Sequence, residues 1–131
     1  MTPRPLLFEE LSPVQRFVIC NGCGAKGGWF KWLRPPALCF STACDRHDYA
    51  YWVGGTKADR RFADRCFWSA CKRAVWDWAD IRGYGRGRVA VRMIAAWLFY
   101  RAVRLAGAGS FHHGTQRVLE SRVALRLRDA A

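Results

Sequence analysis

Gly54-Gly55 stands between two stretches of helical spacing, and that pair restricts the chain more than any other feature. Two adjacent glycines do not continue a helix, because each loses more backbone freedom on ordering than any other residue. Helix signals resume at once, since Thr56 can cap a new helix and Asp59 stands third in a capping-box-like pattern. So short a break turns the second helix back along the first, giving an antiparallel pair. The spacing predicts a first helix from Ser41 or Thr42 to Gly54 and a second ending before Gly83-Tyr84-Gly85. The second carries Phe62, Cys66, Phe67, Ala70, Cys71, Ala74 and Trp78 at helical intervals. A third helix over roughly 88–106 carries Val91, Ile94, Ala95, Leu98, Ala102 and Leu105. Residues 116–128 suit a short basic amphipathic helix, while residues 1–19 read as a lead-in. With no strand pattern and no internal repeat, the expected class is all-α.

The length of 131 residues fits one domain, and 51 % apolar residues supply a core, which excludes a wholly disordered chain. Lys and Arg total 22 against 10 acids, so a polyanionic surface is the expected partner, either an anionic membrane or nucleic acid. The longest apolar run, Met93–Tyr100, is too short to span a bilayer. Pro3, Pro5, Glu9 and Glu10 interrupt any signal-peptide core at the N-terminus. Six cysteines in so small a chain suggest disulfides or a metal site.

Cys44, His47, Asp48 and Tyr51 fall at spacings that share one helix face. His47 is a candidate base, Asp48 a candidate cation ligand and Tyr51 a hydrogen-bond donor. The plainer alternative is a core histidine beside a solvated aspartate. Residues 20–28 hold four glycines and form a tight loop, which is either a simple turn or a set of inward carbonyls suited to a hard cation. Asp59 returns towards His47 across the hairpin and can hold its other ring nitrogen; it can equally cap the second helix.

The string Cys44-Asp45-Arg46-His47-Asp48-Tyr49-Ala50-Tyr51 resembles the Cys-x-x-His-Asp-x-x-Tyr helix of the phospholipase A2 family. Gly22-Cys23-Gly24-Ala25-Lys26-Gly27-Gly28 resembles that family's calcium loop, and Ala58-Asp59-Arg60-Arg61-Phe62 its second long helix. The three segments stand in the family's order within residues 20–72, and the short spacing is similar to its bacterial, fungal and phage members. The resemblance implies one domain over residues 1–131, with a core at 20–82 and a basic helical extension at 86–131. Two antiparallel disulfide-linked helices would carry the site, beside a glycine-rich calcium loop and additional C-terminal helices. It implies calcium-dependent hydrolysis of the sn-2 ester of glycerophospholipids, with His47 as general base and Asp59 and Tyr51 orienting it. Asp48 and carbonyls at Gly22, Gly24 and Lys26 would hold Ca2+, and Cys23 would bridge to Cys44. Lys26, where the family usually has a small residue, and residues 29–40 and 86–131 depart from its pattern. An antiparallel pair that sets 47 opposite 59 also sets Cys39 near Cys66.

The partner implied is an anionic phospholipid surface, with Trp29, Phe30 and Trp32 as further contacts and no nucleic acid expected. The cysteines and this chemistry suggest a secreted or extracytoplasmic setting. Two other readings compete. Cys20, Cys23, Cys39 and Cys44 can form a zinc site in a nucleic-acid-binding module. A catalytically inactive relative would bind membranes through helices 88–106 and 116–128.

Overall fold

The structure, a computed structural model, describes residues 5–20 and 38–117. Helices make up 77 % of the described residues, and no strand occurs among them, so the chain is all-α. α1 (Pro13–Ile19) is opened by Ser12, whose hydroxyl accepts from the Gln15 amide while the Gln15 side chain accepts from the Ser12 amide. α2 (Ser41–Val53) ends at Gly54, and α3 (Lys57–Arg82) begins behind the reciprocal Thr56–Asp59 cap. α3 ends at the left-handed Gly83, φ +66°, and α4 (Arg86–Ala106) runs back along it before a short turn at Gly107–Ser110.

The main core lies where α2, α3 and α4 meet. Phe40 has no exposed surface and sets its ring edge-on to Phe99 at 5.3 Å between centroids. Phe67, Cys71, Val75 and Ala79 follow at four-residue steps on α3 and face Ala43 and Cys44 of α2 and Val89 and Ala96 of α4. α4 is therefore built into the core rather than appended to it. α2 also buries its opposite side, where Tyr49 and Val53 pack with Leu11 and Ile19 from the N-terminal segment. Arg16 and Arg46 both lie over the Phe8 ring, and Arg46 pairs with Glu9, which holds that segment on α2.

The buried stripe of α3 is rotated from the expected one. Phe62 is 65 % exposed and Cys66 is exposed, while Ala63, Asp64, Phe67 and Cys71 face inward. The reason is register: α3 is displaced by five residues against α2, so position 64, not 59, stands opposite His47. The same displacement separates Cys39 from Cys66 and puts it against the cluster that holds Cys71. Burial pushes the Cys71 thiol up to about 12, with Cys39 adding to the rise. Cys66 and Cys71 are both free, so no disulfide joins α3 to α2, contrary to expectation. The tail predicted helical from 116 lies, beyond Arg117, outside the described residues.

After α4 the chain crosses the hairpin turn and binds it by main-chain bonds. Gly55 N–H donates to the His112 carbonyl, Gly114 N–H to the Gly55 carbonyl and Arg117 N–H to the Val53 carbonyl. Gly54 has φ +75°, and a Cβ there would overlap the His112 carbonyl oxygen. Gly83 has a similar φ, yet a Cβ there would meet nothing within 4 Å. Gly83→Ala should thus lose only the conformational part, about 1–2 kcal/mol, and Gly54→Ala clearly more. Urea midpoints of the two variants check this; equal losses would mean that the 112–117 crossing does not constrain the turn.

Candidate active site

The site begins with a carboxylate where an apolar residue would be expected. Asp64 interrupts the inward stripe of α3 and has no exposed surface. A buried charge is tolerated only when paired and hydrogen-bonded. Here three side chains from two other helices supply the bonds. His47 Nε2 lies 2.7 Å from Oδ1, and the Tyr51 hydroxyl donates to the same oxygen at 2.6 Å. Arg104 Nη1 of α4 donates to Oδ2 at 2.5 Å. Burial alone would raise the Asp64 pKa, but the bonds from His47, Tyr51 and Arg104 outweigh it and hold the carboxyl below its ordinary value.

An outer layer holds these donors in place. Burial, and then the Asp64 charge, raise the Tyr51 hydroxyl well above its ordinary value, so it stays a donor. It also accepts from Arg60 Nε at 3.1 Å. Arg60 Nη2 caps the end of α4 through the Val103 and Arg104 carbonyls at 2.8 and 3.1 Å, a favourable place for a cation. Phe67 and Tyr51 wall the imidazole, with ring centroids 4.7 and 4.1 Å from it. Gly107 lets the Tyr51 hydroxyl in; a Cβ there would come within 2.7 Å of it.

The pairing decides the histidine's tautomer. An ionised Asp64 can only accept, so in the neutral imidazole Nε2 carries the hydrogen and Nδ1 keeps its lone pair. Nδ1 has no hydrogen-bond partner among the described residues. A neutral imidazole oriented by a buried carboxylate, with its other nitrogen open, is the arrangement of a general base.

Asp59, expected to orient His47, does not do so. Its Oδ2 accepts from the Thr56 amide at 2.8 Å and hydroxyl at 3.1 Å, leaving it as the helix cap that was its alternative role. Asp64 stands against the imidazole instead, and Tyr51, expected to orient His47, donates to Asp64. Arg60 and Arg104 were not singled out. The available signal was Asp64 itself, a carboxylate three residues before Phe67 and seven before Cys71 on the buried face.

Asp48 follows His47 directly and is half-buried. Cys20 is the last described residue before the glycine-rich loop. Burial pushes the Cys20 thiol up to about 11, and the charges of Asp45 and Asp48 add to the rise. Cys20 Sγ also donates to the Asp45 carbonyl at 3.2 Å. Gly22, Gly24, Lys26 and Cys23 lie outside the described residues, as do Trp29, Phe30 and Trp32. Among the described residues no three His, Cys, Asp or Glu side chains gather to hold a metal. A cation at Asp48 would therefore need further oxygens from elsewhere, and one carboxylate with carbonyls is a donor set that suits calcium. The zinc alternative fits less well. Cys44 is disulfide-bonded, with its partner outside the described residues, and Cys39 packs against the apolar core.

Compared with protein-family models, curated proteins and solved structures, the chain matches none.

Because the folded Asp64 pKa is lowered, its contribution to stability is complete above the unfolded value of about 4 and is lost as pH falls through the folded value. Asp64→Asn should therefore be less stable than the wild type at pH 6, with the gap closing as the pH is taken towards 2. Urea unfolding of both proteins from pH 2 to 6 checks this. A gap independent of pH would mean that Asp64 is not ionised in the fold.

Proposed function

We propose that this chain is a phospholipase A2-like esterase that hydrolyses the sn-2 ester of glycerophospholipids in a calcium-dependent reaction. The observation that carries the reading is the His47–Asp64 pair, with Nε2 engaged, Nδ1 open and Asp48 the next residue. The motif resemblance across residues 20–72 supplies the substrate class, and the action of the Asp48 charge on Cys20, the residue before the glycine loop, is compatible with it.

In this reading a water held at Nδ1 gives its proton to His47 as its oxygen attacks the ester carbonyl carbon. The imidazolium that forms is stabilised by Asp64 across the 2.7 Å bond. Tyr51 and Arg104 keep the carboxylate fixed, so the ring does not turn during the transfer. His47 then returns the proton to the departing alcohol. Asp48 and carbonyls of Gly22, Gly24 and Lys26 would hold calcium, which when bound supplies positive charge to the substrate phosphate and to the developing oxyanion. The net charge of +12 favours an anionic lipid surface, and a secreted or extracytoplasmic setting suits both calcium and the disulfide-bonded Cys44.

His47→Ala, or His47→Gln where a side-chain amide can still reach Asp64, should lower fatty-acid release from phospholipid vesicles by roughly 10²–10⁴-fold while the helical circular dichroism is retained. Undiminished release in either variant would remove the proposed base, and release unchanged by excess chelator would remove the calcium.

Asp48→Asn should weaken calcium binding strongly, because it removes the one carboxylate proposed for the ion. Asp59→Asn should leave calcium affinity nearly unchanged, because Asp59 is a helix cap. Calorimetric titration of the two variants distinguishes them; equal weakening would put the ion elsewhere.

A further inference from the structure

A second group of charged and aromatic side chains gathers at the α3–α4 turn, about 27 Å from Asp64 along α3 at 1.5 Å per residue. A cleft of about 700 Å³ opens there, with Trp78, Arg82, Tyr84, Arg88, Val91 and Arg92 in its wall. The Trp78 and Tyr84 rings lie 4.9 Å apart. Arg92 sits over Trp78 at 4.2 Å and Arg88 over Tyr84 at 4.1 Å. Stacking fixes each guanidinium plane, and although Arg92 also bonds Cys39 and Arg88 the Tyr84 hydroxyl, the five N–H donors of each leave several for a ligand.

No acidic residue lines the cleft, and α4 contains none. Among the described residues Arg82, Arg88 and Arg92 form no ion pair. Three guanidiniums held together without a counter-charge repel one another, and an anion of more than one charge relieves that repulsion. The cleft adjoins an apolar surface. Val91, Ile94 and Leu98, expected from their spacing to be buried, are each more than half exposed, and Ile81 is 85 % exposed. Exposed aliphatic side chains beside clustered arginines match a bilayer interface, where apolar groups enter the acyl boundary and cations meet phosphate. Nucleic acid would use the arginines and leave the aliphatic side chains in water. No helix among the described residues is long and apolar enough to cross a membrane.

We infer that this cleft is a non-catalytic docking site for a phosphate-bearing lipid headgroup at a bilayer surface, fitted best by a phosphomonoester such as that of phosphatidic acid. The inference deepens the proposed function by naming how the chain meets its membrane; it rests on action at a lipid surface and not on the chemistry at His47.

The test measures binding of the full chain to phosphatidylcholine vesicles containing phosphatidic acid, and to vesicles of equal charge containing phosphatidylserine. The wild type should bind the phosphatidic acid vesicles more tightly. Arg88→Gln/Arg92→Gln should weaken that binding by about 30-fold. Arg61→Gln/Arg65→Gln, the same charge removed from exposed positions on α3, should weaken it by less than about 3-fold under screening at physiological salt. Arg88→Lys/Arg92→Lys keeps the charge, and should lose the preference for phosphatidic acid; it carries the test if the glutamine pair does not fold. Equal losses in the two glutamine pairs would reduce the effect to diffuse charge and overturn the site. Displacement from vesicles by inorganic phosphate at matched concentration, or tighter binding to duplex DNA than to vesicles, would overturn the lipid assignment. Hydrolysis of a dispersed short-chain phospholipid separates this inference from the catalytic reading. It should be unchanged in Arg88→Gln/Arg92→Gln, whereas His47→Ala should abolish hydrolysis and keep vesicle binding.

Discussion

The ionised carboxylate of Asp64, without exposed surface at the junction of three helices, is the constraint on which the rest of the structure depends. Its removal from water costs several kcal/mol after relaxation. Hydrogen bonds involving a charged group contribute about 1.5–3 kcal/mol each, so His47, Tyr51 and Arg104 together are of the size needed to offset that cost. The lowered pKa shows which side wins. Each donor comes from a fixed place: two from α2 and one from the last turn of α4. The helices cannot slide or rotate against one another without leaving a buried charge short of a partner, so the same bonds that orient the imidazole also hold the packing register.

α2 can present His47 accurately because it is clamped on both sides. Its inner face meets α3 and α4, and its outer face meets α1 and the segment before it through Tyr49, Val53 and Leu11. A helix buried on two sides has little amphipathic character, which is why its sequence reads as chemistry rather than as a stripe. Arg60 serves both the site and the frame, because one guanidinium touches Tyr51 and closes the end of α4. The fold and the candidate site therefore share parts instead of one carrying the other.

Local signals in the sequence were sufficient for the helices but not for their register. The Gly54-Gly55 break, the Thr56–Asp59 cap and the Gly83 stop all locate helix ends, and the structure has them there. Ser12-Pro13-Val14-Gln15 carried an equally good start signal for α1, within a stretch read only as a lead-in. Register was harder, because a glycine pair says that two helices return on each other without saying by how much they are offset. Asp59 and Asp64 are both carboxylates on α3, and one turn and a half of helix separates a cap from a partner. α4 misled for another reason. Its five arginines fall on more than one side and apolar residues stand between them all round, so spacing alone could not tell the side carrying Val89 and Ala96 from the side carrying Val91, Ile94 and Leu98. Arg104 lies forty residues from Asp64, and no local pattern links them.

The crossing of residues 112–117 over the hairpin turn has a consequence for how this protein can diverge. The bonds that tie it down run between amides and carbonyls, at Gly55, His112, Gly114, Arg117, Tyr51 and Val53. Such a seam asks for backbone path rather than for particular side chains, apart from the glycine beneath it. Substitutions can accumulate along the crossing while the tether persists. The network at Asp64 has the opposite character, since each member is bonded by side chains and a change in one is tolerated only with changes in the others. Homologues should thus keep the carboxylate and its donors as a correlated set, while the strap above them drifts beyond recognition with its geometry intact.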